Sequence, residues 1–183
     1  MIDKNEGTKG YTESNSEQFF REMLSSVTEA VLAFGQSSTP PGELIMTASG
    51  FMLRQELNTR LRRQAARLGV SLESLCHLSW ALVLSRSSHC EQVVFGTGLR
   101  AHRGILPIRV DIRETGTEEA ARQVFARLEA LQAHQQTPLS LALRCSGVGG
   151  EAPLFIYPKT SCSRSLRAFS HVYYTFYIIQ LVH

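Results

Sequence analysis

A chain of 183 residues that is 43% hydrophobic and 19% charged has the composition of a globular domain able to close one sizeable core, neither a disordered polymer nor a membrane protein. Its net charge of +3 comes from Lys159, Arg164 and Arg167 in residues 156–183, which hold no Asp or Glu, and the first 155 residues sum to zero; nucleic acid is therefore not an expected partner. The N-terminus lacks the apolar centre of a secretory signal and no apolar run reaches membrane-span length, so no membrane contact is expected and the expected location is the cytoplasm.

Residues 1–16 are polar and expected to be frayed and disordered. A helix is predicted over 17–27, with Phe19, Phe20, Met23, Leu24 and Val27 on one stripe. "FGQSSTPPGE" is a linker, because two prolines and a glycine cannot continue a helix. Residues 44–52, "LIMTASGFM", suit a strand despite Gly50. Over 54–68, Leu57, Leu61, Ala65 and Leu68 recur at helical spacing among five arginines, and Gly69 follows as a natural stop. That pattern is a surface helix with a wet basic face.

Ser71 can cap the next helix, with Glu73 in its positively polarised first turn. Residues 72–85 are apolar nearly all round and must be buried against a sheet. In "CEQVVFGTGLRAHRGILPIRVDI", residues 90–112, two strands are joined by a very short connection. Val93, Val94 and Phe95 form a buried-type run, whereas Ile108, Val110 and Ile112 alternate with Arg109, Asp111 and Arg113 as in a half-buried strand. An amphipathic helix follows over 117–134, then a short helix opened by Pro138, the loop "SGVGGEAP" and a strand after Pro153, Leu154 and Phe155. This alternation predicts an α/β two-layer sandwich, a mixed β-sheet with helices on one face.

Few residues carry chemistry. Cys76, Cys90, Cys145 and Cys162 make no Cys-x-x-Cys pair, as in a reducing compartment, and Cys76-His77 with His89-Cys90 matches no zinc spacing. His77 lies on the buried helix and reads as a satisfied core histidine. Ser146, in "RCSGVGG", lacks the surroundings of a nucleophile elbow or a phosphate loop. The tail run "HVYYTFYIIQLV" has high strand propensity and no charged residue. It either adds to a sheet edge or is an aggregation liability.

Five segments together resemble the condensation domain of nonribosomal peptide synthetases: "FFREML…FG" (19–35), "LNTRLRRQAARLGVSLESLCHLSWALVLSR" (57–86), "EQVVFGTGL" (91–99), "LPIRVDI" (106–112) and "LEALQAHQQTPLSLALRCSGVGGEAPLF" (128–155). The resemblance implies a chloramphenicol-acetyltransferase-like lobe, the C-terminal one of two, spanning 17–155. It also implies the family's reaction, an amide bond made between acyl groups carried on protein-bound phosphopantetheine. The family-motif residues are Leu106, Pro107, Arg109, His134, Pro138, Leu139, Arg144, Ser146, Pro153, Leu154 and Phe155, mainly architectural in role. His134 in "HQQTPL" is the histidine best placed for general-base work, although no titratable partner lies at a recognisable spacing.

Three departures qualify the resemblance. The family's His-His-x-x-x-Asp-Gly signature is absent, as no two histidines are adjacent. "RAHRGI" stands where the family has a longer segment with Gly-x-Phe-Ile-Asn-Thr, so the lobe is expected to be shortened near 100–105. Beyond Phe155 the likeness stops, and 156–183 reads as a divergent tail of the kind a changed reading frame leaves. The expectation is a truncated condensation-domain fragment, inactive alone, with no bound cofactor or metal. Its implied partners are a carrier protein or the missing N-terminal lobe. The alternatives are an interaction module docking such a partner in trans, or another acyltransferase of the same superfamily.

Overall fold

The computed structural model describes residues 5–27, 45–98, 105–112, 116–146, 155–162 and 172–180. Five helices appear there: α1 (Asn5–Leu24), α2 (Gln55–Leu68), α3 (Leu72–Ser88), α4 (Thr117–Ala133) and α5 (Leu139–Arg144). The strands are β1 (Ile45–Met52), β2 (Gln92–Gly98), β3 (Ile105–Asp111), β4 (Phe155–Cys162) and β5 (Val172–Gln180). The expected linker at 34–43, the short connection at 99–104 and the loop leading to Pro153 and Leu154 lie outside the described residues.

The turn between α2 and α3 is written in three residues. Gly69 takes a left-handed φ of 68°, and the amides of Gly69 and Val70 donate back to Ala66 O at 3.3 Å and Ala65 O at 3.0 Å. This double closure ends α2 while satisfying carbonyls that would otherwise face no donor. Two residues on, Ser71 Oγ accepts from the Ser74 amide at 3.0 Å and opens α3. A Cβ added at Gly69 meets nothing within 4 Å, so Gly69→Ala is expected to cost only the backbone term, about 1 kcal/mol. Urea unfolding of the two proteins checks this.

β2 and β3 pair antiparallel, setting Val93 opposite Val110 and Phe95 opposite Ile108. Leu106, Ile108 and Val110 are all buried, as the period of two requires. Against them pack Leu78, Ala81 and Leu84 of α3, Ala121, Val124 and Leu128 of α4, and Phe20 and Leu24 of α1. Helices on one sheet face make the two-layer α/β sandwich. A second sheet has the order β1-β5-β4, again antiparallel throughout, with β4 lying beside β2. Every strand pairing among the described residues is thus antiparallel, in two sheets instead of the one mixed sheet expected.

Two boundaries differ from the sequence expectation. α1 starts at Asn5, inside the segment read as frayed, and stops at Leu24 where a Ser25-Ser26 turn follows. Phe20 and Leu24 are buried in the core. A helix anchored there extends backward by one hydrogen bond per residue ordered, without needing an apolar stripe of its own. The uncharged tail run forms β5 and sits between β1 and β4, not at an edge. A central position satisfies its backbone on both sides and removes the exposed edge that would template aggregation.

Candidate functional site

The tempting histidine lies where three elements meet. α4 ends at Ala133, where the amides of His134 and Gln135 tighten onto Leu131 O and Gln132 O, and a turn follows with Thr137 N bonded to His134 O at 3.0 Å. This turn aims His134 at the middle of α1. Its ring stacks on Phe19 with centroids 4.1 Å apart and planes 17° apart, and its edge meets Phe20 at 6.2 Å. Nδ1 lies 3.0 Å from Ser16 Oγ. Burial lowers the His134 pKa below its ordinary value.

A serine hydroxyl on an imidazole nitrogen is the first half of a nucleophile–base pair. Ser16, however, is buried, only 6% exposed, and among the described residues no third group orients the imidazole as a base. The contact is a clasp that fixes α1 on the α4–α5 turn. Sequence gave no hint of it, since the two residues are 118 positions apart.

A second clasp surrounds Asp111. Arg109 Nε donates to Asp111 Oδ1 at 2.8 Å, and Arg127 of α4 donates to Oδ2 at 2.8 Å. Arg109 also donates to Met23 O at 3.3 Å and to Ser26 Oγ, and Arg127 to the Arg109 carbonyl. The Asp111 and Arg109 side chains are only 12% and 14% exposed. Burial pushes the Asp111 carboxyl up, but hydrogen bonds and charge from Arg109 and Arg127 outweigh it and hold the pKa below its ordinary value. The side of β3 expected to be wet is thus covered by α1 and α4.

His77 is satisfied on both nitrogens. Nδ1 lies 2.8 Å from Glu73 O, one turn back, and Nε2 lies 2.6 Å from the buried Thr97 Oγ1 on β2. The bland core role fits it. Burial lowers its pKa, only partly offset by the carbonyl and charge of Glu73.

The fold lowers the pKa of both His77 and His134, whereas in the unfolded chain they take a proton near pH 6.5. Their stabilisation is complete above that value and is lost as pH falls through the folded pKa values. Asp111, depressed from 3.8, adds a further loss at still lower pH. Thermal midpoints should therefore be level at neutral pH, fall below about pH 6.5 and fall again below about pH 4. In a His77→Asn variant the first descent should be shallower. A midpoint that rises on acidification would contradict these assignments.

Of the remaining motif residues, Leu106 and Pro107 are buried in β3. Pro138 precedes α5, its carbonyl accepting from the Leu141 and Ala142 amides. Leu139 opens α5, the exposed Arg144 stands in its last turn, and Ser146 Oγ donates to Leu143 O at 2.7 Å just beyond it. Phe155 opens β4, its backbone opposite Ile179. Among the described residues no group of three His, Cys, Asp or Glu is gathered as metal ligands would be, and no single helix is long and apolar enough to cross a membrane.

Comparison with known proteins places this framework. No family profile matches the chain. Among solved structures, the condensation domain from Monacolin K polyketide synthase MokA superposes with a TM-score of 0.68 at 10% identity, covering 97% of this chain and 54% of that one. The X-domain of teicoplanin biosynthesis, in complex with OxyB, gives 0.69 at 12% identity, covering 94% and 49%. The chain thus shares the fold of about half of a condensation domain.

In sequence it is 42% identical to malpinin synthetase and 40% identical to malpibaldin synthetase, both of Mortierella alpina, in each case over 160 residues and 80% of this chain. It spans 2% and 3% of the length of those two proteins. This is a condensation-domain-like chain related to a small part of large synthetases.

Proposed function

We propose that this chain is the C-terminal-lobe portion of a nonribosomal peptide synthetase condensation domain and supplies one wall of its reaction chamber. The observation that carries this reading is the 42% identity to a synthetase across 80% of the chain. The proposed reaction joins two substrates on carrier-protein phosphopantetheine arms. The amine of the acceptor attacks the donor thioester carbonyl, the C–S bond breaks, and the amine proton ends on the departing thiol. Ser16, His77 and Thr97 are buried, the His134 ring is engaged by Ser16 and Phe19, and the sequence contains no His-His-x-x-x-Asp-Gly signature. The base is therefore assigned to the complementary lobe, and this chain acts by shape, without a bound cofactor or metal and without catalysis alone. The cytoplasm, where carrier proteins are loaded, is its proposed location.

Titration of the chain with a carrier protein, followed by calorimetry, tests the reading. Saturable binding that strengthens when the carrier bears phosphopantetheine is expected. A folded chain that ignores both forms of the carrier would count against it. A second reading, an interaction module acting in trans, draws on the X-domain neighbour, which was solved with OxyB bound. Equal binding to loaded and unloaded carrier would favour that role over a substrate chamber.

A further inference from the structure

The net charge of zero over residues 1–155 conceals a separation. Residues 54–68 hold five arginines and one glutamate, so the rest of that stretch carries a net charge of −4. At 3.6 residues per turn, Arg60, Arg63 and Arg67 fall on one face of α2, opposite the buried Asn58 and Ala65. All three are exposed. Elsewhere several arginines are engaged, Arg21 with Glu17, Arg109 and Arg127 with Asp111, Arg122 with Glu118 and Glu119, while Arg86 and Arg144 stand singly on α3 and α5; among the described residues only α2 sets several on one face. On α2, Arg62 is held by Asn58 and Arg67 by Glu118 at the surface. Arg60 and Arg63 have no hydrogen-bond or ion-pair partner among the described residues.

Beside this row stands Leu57, 42% exposed and one of two large exposed hydrophobic side chains among the described residues. Arginines next to a bare leucine are what a helix-binding interface presents, the apolar contact giving affinity and the charges register. We infer that the outer face of α2 docks a partner protein through a helix bearing a row of carboxylates and an adjoining apolar residue. The row runs about 10 Å along the helix, two turns of a facing helix. A nucleic-acid backbone fits it poorly, because Glu56 shares the face and the rest of the stretch is net negative.

This surface is independent of the amide-forming role and can fail separately. Its test is fluorescence anisotropy with a labelled, stapled helical peptide carrying glutamates at i, i+3 and i+7 and a leucine beside them. Saturable binding to the chain is expected, weakened by added salt. It should be about tenfold weaker for Arg60→Glu/Arg63→Glu, or for a peptide with glutamine in place of glutamate, and weakened by Leu57→Ser. Arg144→Glu, an exposed arginine on α5 instead of α2, should leave it unchanged.

The inference is overturned if no saturable binding occurs, or if a double variant with an unchanged circular dichroism melt binds like the parent. It is overturned equally if a duplex oligonucleotide displaces the peptide at lower concentration, making this a nucleic-acid face. Sedimentation showing self-association that Arg60→Glu/Arg63→Glu abolishes would make it the interface of a second copy instead.

Discussion

Phe95→Ala should lower stability by about 4 kcal/mol, the cost of emptying a fully buried aromatic site. In a chain of this size that corresponds to a thermal midpoint lower by roughly 10 °C. Phe95 is 0% exposed on β2, faces Ile108 across the strand pair and lies 5.9 Å from the His77 ring, so the vacancy opens where sheet meets helix layer. Neighbouring Val93, Ile108 and Leu84 are themselves fully or almost fully buried and locked in close packing, which limits collapse into the gap. Phe95→Leu, which keeps most of the volume, should recover more than half of the loss. A loss below about 1 kcal/mol for the alanine variant would mean that this is not the core.

Asp111→Ala is expected to cost about 3 kcal/mol through a different mechanism. Removing the carboxylate strands two guanidinium groups, one of them on a side chain only 14% exposed, and loosens the junction of β3, α1 and α4. The loss should persist at high salt, because screening acts weakly on groups withdrawn from water. Replacing all three members with apolar residues, Arg109→Met, Asp111→Leu and Arg127→Met together, should be far milder than the single change, since no charge is then left unpaired. Chemical unfolding of the two variants decides this. If the triple variant proves the less stable, the network contributes net stability beyond mutual neutralisation.

The helices could be read from the chain because their signals are local. Ser71 and Gly69 punctuate α2 and α3, and the apolar stripe of α4 repeats over four turns. What stayed hidden depends on distant partners. Arg109 and Asp111 alternate with Ile108 and Val110 as outward residues should, and only Arg127, with α1 laid across, turns that side inward. Ser16 gives no sign of meeting His134, and nothing in "HVYYTFYIIQLV" names β1 and β4 as its two neighbours. Strand order is a long-range property, so propensity predicts the strand and not its place. The described parts of the tail, set apart by composition, are in this way strands of the sheet.

The family resemblance carried further than any motif. Of the short pieces around Leu106, Pro107 and Pro138, the structure buries the first two residues in β3 and sets the third at the head of α5. His134, the sole histidine in those pieces, turned out to hold α1 in place.

The central proposal is that this chain forms one wall of an amide-forming chamber whose base lies in another lobe. Its most direct test mixes the chain with a separately produced N-terminal lobe carrying His-His-x-x-x-Asp-Gly and two aminoacyl-loaded carrier proteins, with mass spectrometry of the carrier-bound products. The expected result is an amide product only when lobe and chain are both present, with Ser16→Ala and His134→Ala affecting yield no more than they affect stability. A folded chain that adds nothing to the lobe, or amide formation by the chain alone that His134→Ala abolishes, would contradict it.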